Sequence, residues 1–435
     1  MMLLLNDKNK STLMMAMVCL AHCSYVFADE QPAPLLGPDI PPPSSKPVSP
    51  NIVVAQPALD ASSFASTGRQ QAAAVPWGPF SVTPSLGVGA GYNSNITASS
   101  ANAISSPVWA VKPTVAMDTT VSGDRYVMGY LGNFTRYSNH TANNFNTNEL
   151  QLAAENIYTS KLSSKTSADL LYSIDPPGST QGPVTPTPNR FRQAAVKGLV
   201  AYGAQNAIGH LELEAAFQQK RYLNNRTVTL TSDLDSGNVT GRFYYRVAPK
   251  TQTFLELGQT GYRYLVNAST QNSTERHAYV GATWDATAKT SGTLKLGLLR
   301  KDFSDATKSN FDGLGWEATV RWAPLTYSTL DLQTARNTSD STGVGAYLIN
   351  RVLGATWNHG WSNFVTTRLG YTWQGTEYVG NPRIDNTDRA VMGVEYRARR
   401  WLTFNADYNY VRLRSNAPST PYTQNLFMVS ANATL

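Results

Sequence analysis

Tyr422-Thr-Gln-Asn-Leu-Phe-Met-Val-Ser-Ala-Asn-Ala-Thr-Leu435 decides how the rest of this sequence is read. Every second residue, Phe427, Val429, Ala431, Ala433 and Leu435, is apolar, and the residues between, Met428, Ser430, Asn432 and Thr434, are mostly polar. Alternation with period two marks a strand with one apolar and one polar face. The strand runs to the last residue of the sequence with no charged cap, and an apolar edge of that kind invites pairing with other chains. Closing the sheet removes the edge, because the last strand then pairs with the first. The expectation is an all-β, antiparallel, up-and-down transmembrane barrel whose closing strand carries Phe427, Val429, Ala431, Ala433 and Leu435.

The same alternation recurs upstream. Phe80, Val82, Leu86, Val88, Ala90 and Tyr92 share one face, as do Leu211, Leu213, Ala215 and Phe217, and Leu294, Leu296 and Leu298. Trp316, Ala318, Val320 and Trp322 repeat it, followed by Val365, Leu369, Tyr371 and Trp373, and by Leu402, Phe404, Ala406, Tyr408 and Tyr410. Each segment is a weak signal, and their number carries the inference. The connections alternate as well. Short ones such as Ser122-Gly-Asp124, Ala248-Pro-Lys250, Ala323-Pro-Leu325 and Arg399-Arg400 separate longer polar links around 93–106, 139–146, 175–189, 224–238, 267–273, 304–312, 337–345, 374–388 and 415–421. At roughly 20 residues per strand and connection, the stretch from Phe80 onward gives about 18 strands. An even number places both barrel termini at the short-turn, periplasmic side. A soluble β-sandwich would bury both faces of its strands and would not alternate its loop lengths.

Composition agrees. Charged residues are 15%, below the ~25% usual for soluble domains, while 22 Tyr and 9 Trp are prominent. The net charge of +7 lacks the clustered Lys and Arg that nucleic-acid binding requires. At the N-terminus, Lys8 and Lys10 precede the short apolar run Ser11-Thr-Leu-Met-Met-Ala-Met-Val-Cys-Leu-Ala21, and Val26-Phe-Ala28 offers a cleavage site, so residues 1–28 read as a signal peptide. Both cysteines, Cys19 and Cys23, lie within it. Leu20-Ala-His-Cys23 departs from a lipoprotein box because His22 stands where a small residue is needed. Residues 29–76 are rich in Pro and Ala and read as a disordered periplasmic linker. Residues 77–435 form the barrel. Trp77, Trp109, Tyr158, Trp284, Trp322, Trp357, Trp361 and Trp401 near strand ends suit interfacial girdles in outer-membrane lipid.

If the apolar parity meets lipid, the other parity lines the lumen. It carries Arg242, Tyr244 and Arg246; Glu256, Tyr262 and Tyr264; His277 and Tyr279; Lys295; Arg321; Asp331; Arg351; Arg368; Glu395; and Asp407. Charges of both signs interleaved with Tyr suit a water-filled passage, which barrels of 16–18 strands are wide enough to leave. Tyr rings stack on sugar faces and charged side chains bond hydroxyls, so this lining suits a glycan; mixed charges also line ordinary porins. The histidines are scattered, no acid–base pair is nominated, no metal or other cofactor is expected, and Gly87-Val-Gly-Ala-Gly91 lies within a strand instead of opening a helix. The chain reads as a channel and not as an enzyme.

The first barrel strand carries a further signal. Pro84-Ser-Leu86 and Tyr92-Asn-Ser-Asn95 resemble the opening of the outer-membrane barrels of exopolysaccharide biosynthesis operons, the type 2 β-barrel porin, EpsL-like group. The resemblance implies a bacterial outer-membrane location and export of a secreted exopolysaccharide chain. It also implies as partners periplasmic polysaccharide-export and polymerisation proteins and the outer-membrane barrel assembly machinery. Such barrels often end in an aromatic residue, and Leu435 departs from that. The alternatives within the same fold are a general or solute-specific uptake porin and a structural barrel whose surface loops bind a partner. A wide pore also needs a seal, and the loop at 175–189, with five prolines, is the candidate.

Overall fold

The computed structural model describes residues 74–434 except 178–184, 186, 205–206, 267–268, 288 and 342. The signal peptide with Cys19 and Cys23, nearly all of the linker, much of the 175–189 loop, and Leu435 lie outside the described residues. A short strand, β1 (Val75–Trp77), turns at Gly78 and pairs back onto β2. The wall itself is β2 (Phe80–Asn93), β3 (Ser106–Val121), β4 (Asp124–Tyr137), β5 (Phe145–Ile157), β6 (Leu162–Asp175), β7 (Asn189–Tyr202), β8 (Gly209–Tyr222), β9 (Leu234–Ala248) and β10 (Thr251–Tyr264). It continues with β11 (Ser273–Thr287), β12 (Thr290–Phe303), β13 (Phe311–Leu325), β14 (Ser328–Asp340), β15 (Tyr347–Gly360), β16 (Val365–Val379), β17 (Ile384–Arg399), β18 (Leu402–Ser415) and β19 (Tyr422–Thr434). Each pairs antiparallel with the next, and β19 pairs with β2 from Leu426↔Asn93 to Thr434↔Ser85. The result is a closed barrel of 18 strands with no free edge.

Alternation places the side chains as expected. Leu296, Leu298, Val280, Leu353 and Phe427 stand exposed on the outside, whereas the intervening Glu256, Lys295 and Ser430 are buried on the inside. An exposed apolar band is stable only in lipid, and closure pairs the backbone groups that lipid cannot hydrate. Connections span two to six residues at one end and four to thirteen at the other. At the tightest, Ser122 and Gly123 both take positive φ (54° and 92°), the mirror-image turn that matches strand twist in two-residue hairpins. One link differs from expectation. The polar stretch 374–388 is mostly strand, because β16 and β17 extend far up the wall and leave only residues 380–383 between them. Exposed Tyr158, Tyr202, Tyr245, Trp361 and Trp401 gather near the short-turn end, as an interfacial belt does.

The closing seam is clasped by Tyr92-Asn-Ser-Asn95. The Ser94 backbone N–H donates to the Asn425 carbonyl at 2.9 Å, and Asn425 N–H returns a bond to Ser94 Oγ at 2.9 Å. Asn95, nearly inaccessible, donates through Nδ2 to the carbonyls of Ser99 (2.9 Å) and Thr423 (3.1 Å), while Gln424 Nε2 donates to its carbonyl at 2.5 Å. Inside the seam, Met428 lies over Gly89 and Gly91 and packs with Val108, Ala110 and Leu426. Replacing Asn95 by alanine strands several buried partners, each worth about 1–3 kcal/mol. The folded, fast-migrating form on a semi-native gel is therefore expected to unfold at a lower temperature than wild type; an unchanged unfolding temperature would remove the clasp from the account.

Candidate functional site: the inner wall

One charge placed between two apolar neighbours has no choice of face once those neighbours take lipid. Leu213-Glu214-Ala215, Gly241-Arg242-Phe243, Leu255-Glu256-Leu257, Leu294-Lys295-Leu296 and Trp316-Glu317-Ala318 all follow this rule. Each sends its charge to the inside of β8, β9, β10, β12 or β13, and Lys197 joins them from β7. Cross-strand register brings opposite signs together. Lys197 Nζ lies 2.9 Å from Glu214 Oε2, and Arg242 Nη1 lies 3.2 Å from the same oxygen. Arg242 Nε meets Glu256 Oε2 at 2.5 Å, Lys295 Nζ meets Glu256 Oε1 at 2.9 Å, and Lys295 reaches Glu317 Oε2 at 3.3 Å. His277 Nε2 stands 3.3 Å from Glu256 Oε1, and Glu212 approaches Arg242 at 3.9 Å. The outcome is a continuous row of alternating charge along seven strands, with Glu256, only 2% exposed, at its centre.

Rings complete this stripe. His210 stacks on Tyr244 (centroids 4.4 Å apart), Tyr244 leans on Phe254 (5.3 Å), His277 stacks on Tyr279 (4.9 Å), and Lys295 lies 5.1 Å over the Tyr279 ring. The rings lie flat on the wall because glycines make room. A Cβ on Gly258 would collide with His277, one on Gly281 with Phe254, and one on Gly315 with the Tyr279 hydroxyl. The arrangement is a nearly charge-balanced polar layer in which Phe254 and Tyr279 are buried and His210, Tyr244, Lys197 and Glu212 are partly accessible. Its accessible members, Lys197, Glu212 and Tyr244, can hydrogen-bond hydroxyls, and its balanced charge holds no ion tightly.

The other expected lining residues fall into smaller groups. Arg246 continues the parity of Arg242 and Tyr244 on β9. Arg321 pairs with Asp331 at 2.6 Å nearer the short-turn end. Arg368 on β16 bridges to Asp407 on β18 at 3.3 Å, passing over Gly393, where a Cβ would come within 2.7 Å of Asp407 Oδ1. Glu395 pairs with Arg397 on the same strand at 3.4 Å. Arg351 is the correction. It lies on the outward parity of β15 beside exposed Leu353 and pairs with Glu377 at 2.8 Å. Lys197, Glu212, Glu214 and Lys301 complete the wall but were not among the expected residues; Leu211-Glu-Leu-Glu-Ala215 is the alternation that would have found two of them.

Tyr262 and Tyr264 belong to a second cluster, at the loop end. β14 pairs with β13 only as far as Arg336. Beyond that its last four residues pair with β15 alone and leave the wall. They meet inward side chains two to four strands away, a reach of roughly 10–19 Å at the usual strand spacing. Lys301 Nζ lies 2.6 Å from Asp340 Oδ1, and Tyr264 Oη donates to Asp340 Oδ2 at 2.7 Å. Thr338 Oγ1 donates to Glu275 Oε2 at 2.5 Å, and Gln271 Nε2 donates to the Ser341 carbonyl at 2.6 Å. Lys301 also lies 4.1 Å over the Tyr262 ring and is wholly buried. Tyr347 and Ile349 pack on Leu299 and Phe311, while Leu348 and Asn350 on the opposite parity are buried too. The end of the β14–β15 hairpin is thus enclosed on both faces, folded inside the mouth. Among the described residues, this hairpin is where the wall closes inward.

The sequence model of the family described as "Putative beta-barrel porin 2" matches residues 70–435. Similar solved structures include OccK1 (OpdK) of Pseudomonas aeruginosa, 13% identical, covering 81% of this chain and 99% of that one, with a TM-score of 0.47. A BenF-like porin from Pseudomonas fluorescens Pf-5 is 11% identical, with 82% and 99% covered and a TM-score of 0.47. The FrpB iron transporter of Neisseria meningitidis (F3-3 variant) is 10% identical, with 76% of this chain covered and a TM-score of 0.44; the match spans only 62% of its length. No curated protein matches the sequence.

Proposed function

The chain belongs to the β-barrel porin 2 family, an outer-membrane porin-like channel, and from that premise we propose that it passes a secreted exopolysaccharide across the outer membrane. The observation that carries this reading is the balanced row from Lys197 to Glu317 with its flattened rings. Its cations and carboxylates neutralise one another, so a sliding sugar chain meets the partly accessible Lys197, His210, Glu212 and Tyr244 and no deep ionic trap. Conduction of a long substrate needs that shallow, repeated affinity. The Tyr92-Asn-Ser-Asn95 resemblance supports the same substrate class. Periplasmic export and polymerisation proteins would deliver the chain to the short-turn end.

A planar-bilayer measurement tests this. The full chain, reconstituted, is expected to conduct and to be blocked by the producing strain's own polymer, with glucose of equal mass concentration leaving the current intact. Unblocked current overturns the export reading. The folded-in β14–β15 hairpin favours a second reading, uptake of small solutes, because a narrowed mouth suits them better than a polymer. Liposome swelling with mono- and disaccharides and no polymer block would select it.

A further inference from the structure

The outward parity of the wall is free of charged residues from the aromatic belt at the short-turn end up to the last few residues of each strand at the loop end. There it becomes a band of arginine with a minority of carboxylates and no lysine among the described strand residues. Three times around the barrel this band sets two arginines directly opposite each other in register: Arg192↔Arg221, Arg276↔Arg300 and Arg336↔Arg351. Like charges placed directly opposite destabilise a sheet. Carboxylates relieve them only in part: Arg221 meets Asp235, Arg351 meets Glu377 at 2.8 Å, and Arg300 stands opposite Asp312 in register. Arg276 (3.0 Å) and Arg300 (2.9 Å) both lean on the one side chain of Asp302, and Arg192 has no carboxylate partner among the described residues. Arg336 is held by the Leu314 carbonyl and by the rings of Phe311 and Trp316. Arg276, Arg300 and Arg351 keep about half of their side-chain surface exposed.

We infer that this band binds the phosphates of the lipid headgroups that surround the loop end of the barrel, one phosphate group bridging each arginine pair. The chemistry favours phosphate over a carboxylate-bearing protein partner. Guanidinium forks grip phosphate oxygens bidentately, which an ammonium does not, and the band uses guanidinium alone. The position favours lipid over the secreted polymer, because these side chains point away from the lumen directly above the lipid-facing Leu298, Leu314 and Leu353. A bridging phosphate adds a counter-ion to each pair, and most to Arg192 and Arg336, which have no carboxylate partner among the described residues, and to Arg276, which shares Asp302 with Arg300.

The test uses the full chain purified in detergent, with bisphosphorylated lipid A and its dephosphorylated counterpart as probes. Native mass spectrometry reads bound lipid, and a thermal melt reads stability. Wild type is expected to retain the phosphorylated lipid, and R276Q/R300Q or R336Q/R351Q to retain on the order of tenfold less, the loss of about one charge-assisted hydrogen bond. In lipid-free detergent the glutamine variants should melt no lower than wild type, since the like-charge clash is gone; with phosphorylated lipid they should melt lower. R276K, which keeps the charge, serves if a double variant fails to fold and is expected to lose part of the retention. Equal retention by wild type and variants, or equal binding of both lipids, overturns the proposal. Complete displacement by inorganic phosphate at equal phosphate concentration, or by the producing strain's own polymer at equal mass concentration, overturns the lipid assignment.

Discussion

Replacing Asp340 by alanine is expected to raise the single-channel conductance of the reconstituted barrel and to admit solutes that the native barrel excludes. Asp340 is the closest anion to Lys301, which is wholly buried and whose next carboxylate, Glu275, stands 3.7 Å away. Removing one partner of such a pair costs about 3–5 kcal/mol, because the other charge is left buried without compensation. The hairpin end keeps hydrogen bonds with Thr338 and Gln271 as donors, each worth about 1 kcal/mol net, and the packing of Tyr347 and Ile349 on Leu299 and Phe311. A shift of about 3–5 kcal/mol moves the closed-to-open ratio by two orders of magnitude or more, whatever the apolar packing contributes to wild type and D340A alike. The release should be specific to the charge. K301M/D340L, which replaces the pair by apolar groups of similar volume, is expected to keep the wild-type conductance, since such exchanges are often neutral. Conductance of D340A equal to wild type would show that the hairpin is not the closure. The same variants separate the two transport readings, because polymer flux should rise in D340A only if the hairpin restricts the path the polymer takes.

Glu256→Gln is expected to have the second large effect, on stability and on ion selectivity together. Glu256 neutralises Arg242 and Lys295 at once and borders His277. Without its charge two cations remain at the centre of the row with only Glu212, Glu214 and Glu317 at its flanks. The loss expected for a broken buried pair is about 3–5 kcal/mol, read as a lower temperature for loss of the folded form on a semi-native gel. The excess positive charge should move the reversal potential in a salt gradient toward anion selectivity. R242Q/E256Q removes one charge of each sign and is expected to recover most of both. A variant E256Q that keeps the wild-type reversal potential would place the row outside the conducting path.

Much of this could be read before any coordinates. The strand number, the closure of Tyr422–Thr434 onto the first barrel strand and the division into a lipid face and an inner face follow from alternation and loop spacing, and the wall has them. Fourteen of the fifteen expected inner residues stand on the inward parity, yet the expected pattern did not say that they pair. It missed Lys197 and Glu214, which bind the row together from the β7–β8 side. Arg351 was misplaced for a physical reason. Near the top of β15 both parities are buried, Leu348 and Asn350 on one side and Tyr347 and Ile349 on the other, so the rule that apolar means outward has no purchase there. The seal expected from the 175–189 loop is outside the described residues, and the hairpin that closes the mouth carries Asn337 and Thr338, residues that look like any polar loop.

The sequence by itself determined what is local to a strand: where it begins, which of its residues share a face, and, from the even count, that both ends of the wall meet on one side. Only the tertiary structure decided which charges meet, that two arginines face each other three times over, and that β14 abandons β13 after Arg336 to lock Asp340 onto Lys301. The reason is that period-two alternation is a property of one chain segment read alone. Register, tilt and the inward bend of a strand end are set between segments, by partners that can be hundreds of residues away, as the 331-residue separation of Ser94 and Asn425 in the closing seam illustrates.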